Sequence, residues 1–230
     1  MKRFYRDVAI EEADGGWRVV LDGRAIKTAL GAPQIVPSRA LAEALAAEWS
    51  GQGEEIDPRT FPLRDMADYA IDVVRADRAA AIGKLLAFAE TDTLCYRADP
   101  DEPLYRRQQE VWEPLVTALE AREGIRLERV SGVIHRPQPQ ASLDTLRARL
   151  DTCDDFTLAA LQTMASLGAS LCVALAALED GADPEALWSA AHLEEEWQSE
   201  LWGRDAEAEA LRDKRRGEFL DAFRFARLLA

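Results

Sequence analysis

Hydrophobic and polar positions alternate in the first forty residues, as they do in half-buried strands. The segment "WRVVL" places Trp17, Val19 and Leu21 on one face. Asp22-Gly23 follows as a two-residue hairpin turn before "RAIKT", and "LGAP" makes another turn before "QIVP". The pattern predicts a small β-meander, which is too small to be stable without a neighbouring element.

From Ser38 onward the hydrophobic period lengthens to that of a helix. Ser38 is a suitable N-cap, and Leu41, Leu45 and Trp49 recur on one face. Helical periodicity and capping residues then predict a series of further helices. In chain order they lie at residues 66–74, 82–89, 103–124, 142–150, 156–178 and 184–203, and from residue 205 onward.

Because helices follow the strands, the chain is predicted to be an α+β protein. A small β-rich N-terminal domain with one helix is expected at residues 1–60, followed by a larger all-helical C-terminal domain at residues 61–230. The short β-branched segment "IRLERVSGVIH" departs from this division. It can form an extra strand near residues 125–135 that returns to the N-terminal sheet.

The acidic charge of the chain narrows the range of partners. The 28 basic and 42 acidic residues leave a formal net charge of −14, which repels phosphate backbones, so no nucleic acid is expected as a partner. The three cysteines lack a CxxC spacing, and Cys172 lies in an apolar run. Buried reduced thiols are therefore expected.

The uncharged segment of residues 156–178 is long enough to cross a bilayer. Acidic residues flank it, basic anchors are absent and it contains polar side chains, so a buried helix is favoured over membrane insertion.

The N-terminal stretch "MKRFYRDVAI" has neither the apolar core of a secretory signal nor an Arg/Ser-rich leader. We therefore predict a cytoplasmic protein.

The stretch "HLEEEWQSELWGRD" at residues 192–205 contains three glutamates in a row, with Trp188 before them and Trp197 and Trp202 after them. On a helical wheel that starts at Pro184, the face expected to pack against the domain carries Ala186, Ala190, Leu193, Trp197 and Leu201. The opposite face carries Trp188, His192, Glu195, Ser199 and Trp202. Two interpretations are open: both faces are covered and Glu195 pairs with an arginine, or the second face is an aromatic and acidic patch that binds a partner.

Few residues suggest catalysis. His192, one of two histidines, has the helical spacing of half a metal site with Glu195 or Glu196, but no second half is evident. GxGxxG and GxxxxGK motifs are absent, so no cofactor is expected, and Cys95 is expected to be a buried structural thiol. Besides a binding protein, the alternatives are a carboxylate- or metal-assisted hydrolase centred on His192, Glu195 and Glu196, and a permanent scaffold.

Six sequence segments, each present once, occur in a characteristic order over nearly the whole chain. They are "RFYRDV", "GWRVVLDGRAIKT", "LAEALAAEWSGQGEEIDPRTFPLRDMADYAID", "TDTLCYRA", "QQEVWEPL" and "LEEEWQSELWGRD". In this order the chain resembles the ATP synthase assembly chaperones that act on the alpha subunit. The resemblance implies an α+β protein, not an enzyme, that binds the unassembled alpha subunit of the F-type ATP synthase without nucleotide hydrolysis. We expect it to act as a monomer.

The family's "LEEE…Q…WG" pattern falls on the segment that begins at Leu193 and ends at Gly203. The resemblance implies that an acid of this motif is associated with activity, and the helical wheel singles out Glu195 as the acid between aromatic residues. We therefore predict a partner-binding site. Its residues are Glu195, Trp188, Trp202, Glu194, Glu196 and Gln198.

Overall fold

The chain begins with an antiparallel sheet, as its alternating pattern predicts. The computed structural model describes residues 1–132, 135–203 and 205–229. Strands β1 (Val8–Ala13), β2 (Gly16–Leu21) and β3 (Arg24–Ala25) are paired in the order β1-β2-β3. Asp22 and Gly23 both have positive φ, which a tight hairpin turn between β2 and β3 requires. The predicted segment "QIVP" adds only one isolated bridge, between Val36 and Trp17.

Helices make up most of the remaining described chain, so the predicted α+β class is confirmed. A π-helical turn (Ala70–Val74) continues the second helix, and short 3₁₀ turns occupy Pro58–Thr60 and Thr93–Cys95. The α-helices are α1 (Arg39–Ser50), α2 (Pro62–Tyr69), α3 (Arg78–Glu90), α4 (Pro103–Glu123), α5 (Gln140–Asp151), α6 (Asp155–Gly168), α7 (Leu171–Ala176), α8 (Pro184–Ala191), α9 (Leu193–Trp202) and α10 (Ala206–Arg227).

The chain divides into two structural units, and the first extends beyond the predicted N-terminal domain. It comprises Met1–Arg78, Asp154–Ala160 and the C-terminal residues from Arg224. In this unit the ring of Trp49 on α1 packs 4.6 Å from that of Phe61, which immediately precedes α2. The first unit thus includes α2, whose apolar face is buried, although residues 61–78 were assigned to the C-terminal domain.

The second unit contains a separate pair of short strands. Strand β5 (Val130–Ser131) pairs in parallel with β4 (Tyr96–Arg97) and does not join the N-terminal sheet. Residues 133 and 134 of the predicted strand lie outside the described residues. Arg97 of β4 is buried, and its guanidinium donates to the carbonyl of Leu94 and the carboxylate of Glu113. The partner of β5 is a distant segment of the chain, which the residues of β5 do not by themselves identify.

The apolar segment predicted as one helix at residues 156–178 is divided between α6 and α7. Ala169 has φ 47° at the break, and the Ser170 hydroxyl accepts a hydrogen bond from Val173 N at 3.0 Å. The buried carboxylate of Asp92 accepts from Cys172 N at 2.9 Å. Within the described residues, no helix combines the length and the apolar character that a membrane crossing requires.

The cysteines are buried, as predicted. Cys95 and Cys172 are buried free cysteines, and Cys153 is also buried. Burial raises the pKa of the Cys95 thiol to about 12, which keeps it protonated and unreactive at neutral pH. These groups are part of the core.

Candidate partner-binding site

The acidic motif lies at the junction of two helices. Helix α8 ends at Ala191 and α9 begins at Leu193, with His192 in a non-helical conformation between them. A single helical wheel over residues 184–202 is therefore wrong. Trp188 is only 2% exposed and His192 is buried, although both were assigned to the uncovered face; Leu201, assigned to the packed face, is exposed.

Helix α4 fixes both sides of this junction. Trp112 Nε1 donates to the carbonyl oxygen of Ala190, at the end of α8, over 2.6 Å. One turn earlier, Gln108 Nε2 donates to a carboxylate oxygen of Glu194, in the first turn of α9, over 2.7 Å. Gln108 and Trp112, here called the α4 clamp, are fully buried. Because the donor of each bond is fully buried, the two bonds hold α9 in one direction relative to α8.

His192 belongs to the core of this junction. Its ring lies 3.6 Å from that of Trp188, and its Nδ1 lies 3.0 Å from the Trp188 carbonyl oxygen. Burial lowers the pKa of His192, so the neutral ring is favoured. In the part of the chain that the structure describes, no group of three His, Cys, Asp or Glu side chains could hold a metal ion. A hydrolytic centre at His192 gains no support from this geometry.

The three consecutive glutamates have three different environments. Glu194 points inward to Gln108, and burial raises its pKa. Glu196 forms an ion pair with Arg212 of α10. Glu195 is exposed, and within the described residues its carboxylate has neither a hydrogen bond nor an ion pair. The interpretation in which an arginine pairs with Glu195 is thus not supported among these residues.

Helices α9 and α10 border a cleft of about 380 Å³ that is open to solvent, here called the α9–α10 cleft. Trp202, at the end of α9, is 86% exposed on its border. Gly203, with φ 90°, ends α9, and Asp205 accepts from two backbone amides at the start of α10. The residues that line the cleft are Glu195, Gln198, Ser199, Trp202, Gly203, Asp205, Ala208, Glu209 and Arg212.

The structure thus brings together only part of the predicted site. Glu195, Gln198 and Trp202 line the cleft, and Glu196 reaches its edge through Arg212. Glu194 and Trp188 serve the packing of the junction instead. The contribution of α10, above all Arg212, was not predicted, because no local pattern shows which helix packs beside α9.

The chain is similar to known proteins over its whole length. Residues 2–120 match the family model described as ATP12 chaperone protein. Protein atp12, mitochondrial, of Schizosaccharomyces pombe is 26% identical over 214 residues, which are 88% of this chain and 74% of that protein. These matches support the predicted role of an ATP synthase assembly chaperone rather than an enzyme.

Two solved structures share the complete fold. The crystal structure of Atp12 from Paracoccus denitrificans is 38% identical, with a TM-score of 0.94, and the match covers 100% of this chain and 98% of that one. Atu1473 of Agrobacterium tumefaciens is 37% identical with a TM-score of 0.95, over 100% of this chain and 86% of that one. With its family model matched over more than half of its residues, the chain belongs to the ATP12 chaperone family.

Proposed function

We propose that this chaperone binds the unassembled alpha subunit of the F-type ATP synthase and shields its beta-facing surface until the two subunits assemble. The observation that carries the proposal is the α9–α10 cleft, where the exposed carboxylate of Glu195 and the exposed ring of Trp202 line one concave surface. Binding requires no nucleotide hydrolysis and no cofactor.

The chemistry of the cleft suits a client that presents a basic side chain beside apolar groups. A tryptophan that becomes buried on binding contributes a large apolar area, and a neighbouring carboxylate selects for positive charge and fixes orientation. An unassembled subunit exposes the apolar surface meant for its partner, and such surfaces aggregate. Covering part of that surface keeps the subunit available for assembly.

A small contact area also explains release. The cleft has a volume of only about 380 Å³, so it can cover only part of a subunit interface, whereas permanent subunit interfaces bury far more surface. The larger native interface therefore displaces the chaperone when the beta subunit arrives.

The charge of −14 disfavours self-association, in accord with a monomeric chaperone. A cytoplasmic location remains a prediction, since one relative is named as mitochondrial.

Two charge reversals on the same helix test the cleft. Glu195→Lys replaces the exposed acid of the cleft, and Glu200→Lys is the matched control, because Glu200 is exposed on α9 but does not line the cleft. We expect Glu195→Lys to weaken binding of purified alpha subunit at least about tenfold and to leave the melting temperature unchanged. Glu200→Lys should bind nearly as tightly as the unaltered chain.

Light scattering with equimolar alpha subunit supplies the second measurement. The unaltered chaperone should suppress aggregation of the subunit, and Glu195→Lys should do so less well. If the unaltered chain neither binds the subunit nor suppresses its aggregation, the proposed function is wrong. Equal losses for the two lysine variants would show that overall charge, not the cleft, governs binding.

A further inference from the structure

The two helices that border the α9–α10 cleft bury few of their side chains there. Among the residues of α9, all of which the structure describes, Leu193 alone is buried. In α10, residues 206–218 are exposed or half-buried, and Phe219 is the first buried residue. A segment with so little apolar burial has low local stability and needs polar contacts to hold a fixed position. The shape of the cleft therefore depends on hydrogen bonds and ion pairs.

Three arginines of α10 supply such contacts. Residues i, i+3 and i+4 of a helix share one side, so the arginines at positions 212, 215 and 216 leave α10 in the same direction. Each of them reaches a different helix: Arg212 pairs with Glu196 of α9, Arg215 donates to the Leu167 carbonyl of α6, and Arg216 pairs with Glu185 of α8. The Arg212 pair thus joins the two helices that form the cleft.

The charge of Arg212 does not suit a direct role in binding a basic client. Arg212 is the one basic side chain among the described residues that line the cleft, where Glu195, Asp205 and Glu209 contribute negative charge. A cation at this place repels a basic side chain of the client, so attraction alone would favour a neutral residue. The benefit of an arginine here is instead the contact that it makes with α9.

We propose that Arg212 is a positioning residue of the α9–α10 cleft. By pairing with Glu196, it fixes the separation of α9 and α10 at which Glu195 and Trp202 contact the client together. Client binding by this cleft rests on the proposed function. The three consecutive glutamates then have separate tasks: Glu194 anchors α9 to the α4 clamp, Glu195 faces the client, and Glu196 holds α10.

The effect of the ion pair falls on affinity rather than on global stability. The side chains of Arg212 and Glu196 are 28% and 29% exposed, and ion pairs open to solvent add little to the stability of a fold. Affinity, in contrast, falls in proportion to the fraction of molecules that have the binding arrangement. A cleft that is correctly formed in about one molecule of ten binds about tenfold more weakly.

Charge variants of the full-length chain, titrated with purified alpha subunit, test the proposal. Arg212→Gln and Arg212→Glu should each weaken binding about five- to tenfold, although both make the cleft more attractive to a basic client. The double variant Glu196→Arg/Arg212→Glu reverses the ion pair and should bind within about threefold of the unaltered chain. Lys214→Gln is the matched control, because Lys214 is exposed on α10 and does not line the cleft. It should bind like the unaltered chain, and all variants should melt close to it.

The opposite results are equally clear. Binding by Arg212→Gln that equals or exceeds that of the unaltered chain overturns the proposal and leaves the proposed function intact. A double variant as weak as Arg212→Glu shows that one of the two side chains contacts the client itself, which also overturns a positioning role. If the unaltered chain does not bind the alpha subunit, the proposed function fails, and the role of Arg212 in client binding fails with it.

A distance measurement tests the positioning without a client. Spin labels are attached to cysteines that replace Glu200 of α9 and Ala210 of α10, which are exposed and do not line the cleft. The native cysteines are buried, so the labels react at the introduced positions. The distance distribution should be narrow in the unaltered background and in the double charge variant, and broad with Arg212→Gln. A distribution that stays equally narrow with Arg212→Gln overturns the proposal.

Discussion

Truncation of Trp202 distinguishes a binding surface from a packing surface. The Trp202→Ala change removes a ring that is 86% exposed at the border of the α9–α10 cleft. Because the ring contributes little to packing within the chain, the free energy of unfolding should change by less than about 0.5 kcal/mol. Client binding should change much more.

The magnitude follows from the exposed area of the ring. A buried tryptophan removes roughly 150–250 Å² from water, so burial of the exposed part of Trp202 is worth about 3–5 kcal/mol at about 25 cal/mol per Å². Immobilising the side chain costs about 1–1.5 kcal/mol. The net contribution is about 1.5–4 kcal/mol, which corresponds to a roughly 10- to 1,000-fold loss of affinity.

Trp188→Ala is the matched control, since Trp188 was predicted to belong to the same site but is buried against Phe219 and His192. Its truncation should lower the free energy of unfolding by about 3–5 kcal/mol. Both variants are measured by chemical denaturation and by titration with purified alpha subunit. If Trp202→Ala binds within about twofold of the unaltered chain, the cleft is not the client contact.

Two further predictions concern half-buried carboxylates. Burial raises the pKa of Glu48, which accepts hydrogen bonds from Leu63 N and Arg64 N, to about 7. The stabilisation linked to its protonated form is present below about pH 4.5 and is lost as the pH rises through 7. After allowance for partial exposure, the free energy of unfolding, measured by chemical denaturation, should vary with pH by about 1–2 kcal/mol less in Glu48→Gln than in the unaltered chain. Identical pH profiles of the two proteins would contradict the assigned pKa. In the α4 clamp, Gln108→Glu places a second carboxylate against Glu194 and should lower the free energy of unfolding by about 2 kcal/mol and weaken client binding at pH 8. Adding Glu194→Gln restores one donor and one acceptor, and failure of this double variant to recover affinity would show that the bond does not position α9.

Local patterns determined much of the secondary structure. Ser38 caps α1 through a 3.0 Å bond from Leu41 N, and Asp183 with Pro184 begins α8. The turn at Asp22-Gly23 has the backbone conformation that its residues predict. These features depend on groups only a few residues apart, so the sequence itself contains both partners of each interaction.

Tertiary structure alone decided where helices break and which side chains become buried. The apolar segment of residues 156–178 contains no proline, yet Asp92, 80 residues before Cys172, supplies a carboxylate that caps the start of α7. Similarly, Trp112 and Gln108 of α4 hold the junction at His192, which removes Trp188 from the surface and leaves Trp202 outside.

The physical reason is the range of the interactions. Hydrophobic periodicity records that a helix has an apolar face, but the element that covers this face, and the buried hydrogen bonds that redirect the chain, come from distant segments. The motif at residues 192–205 therefore indicated a partner-binding site from its composition. Only the packing of α4 and α10 decided that Glu195, Gln198 and Trp202 of the predicted site line an exposed cleft.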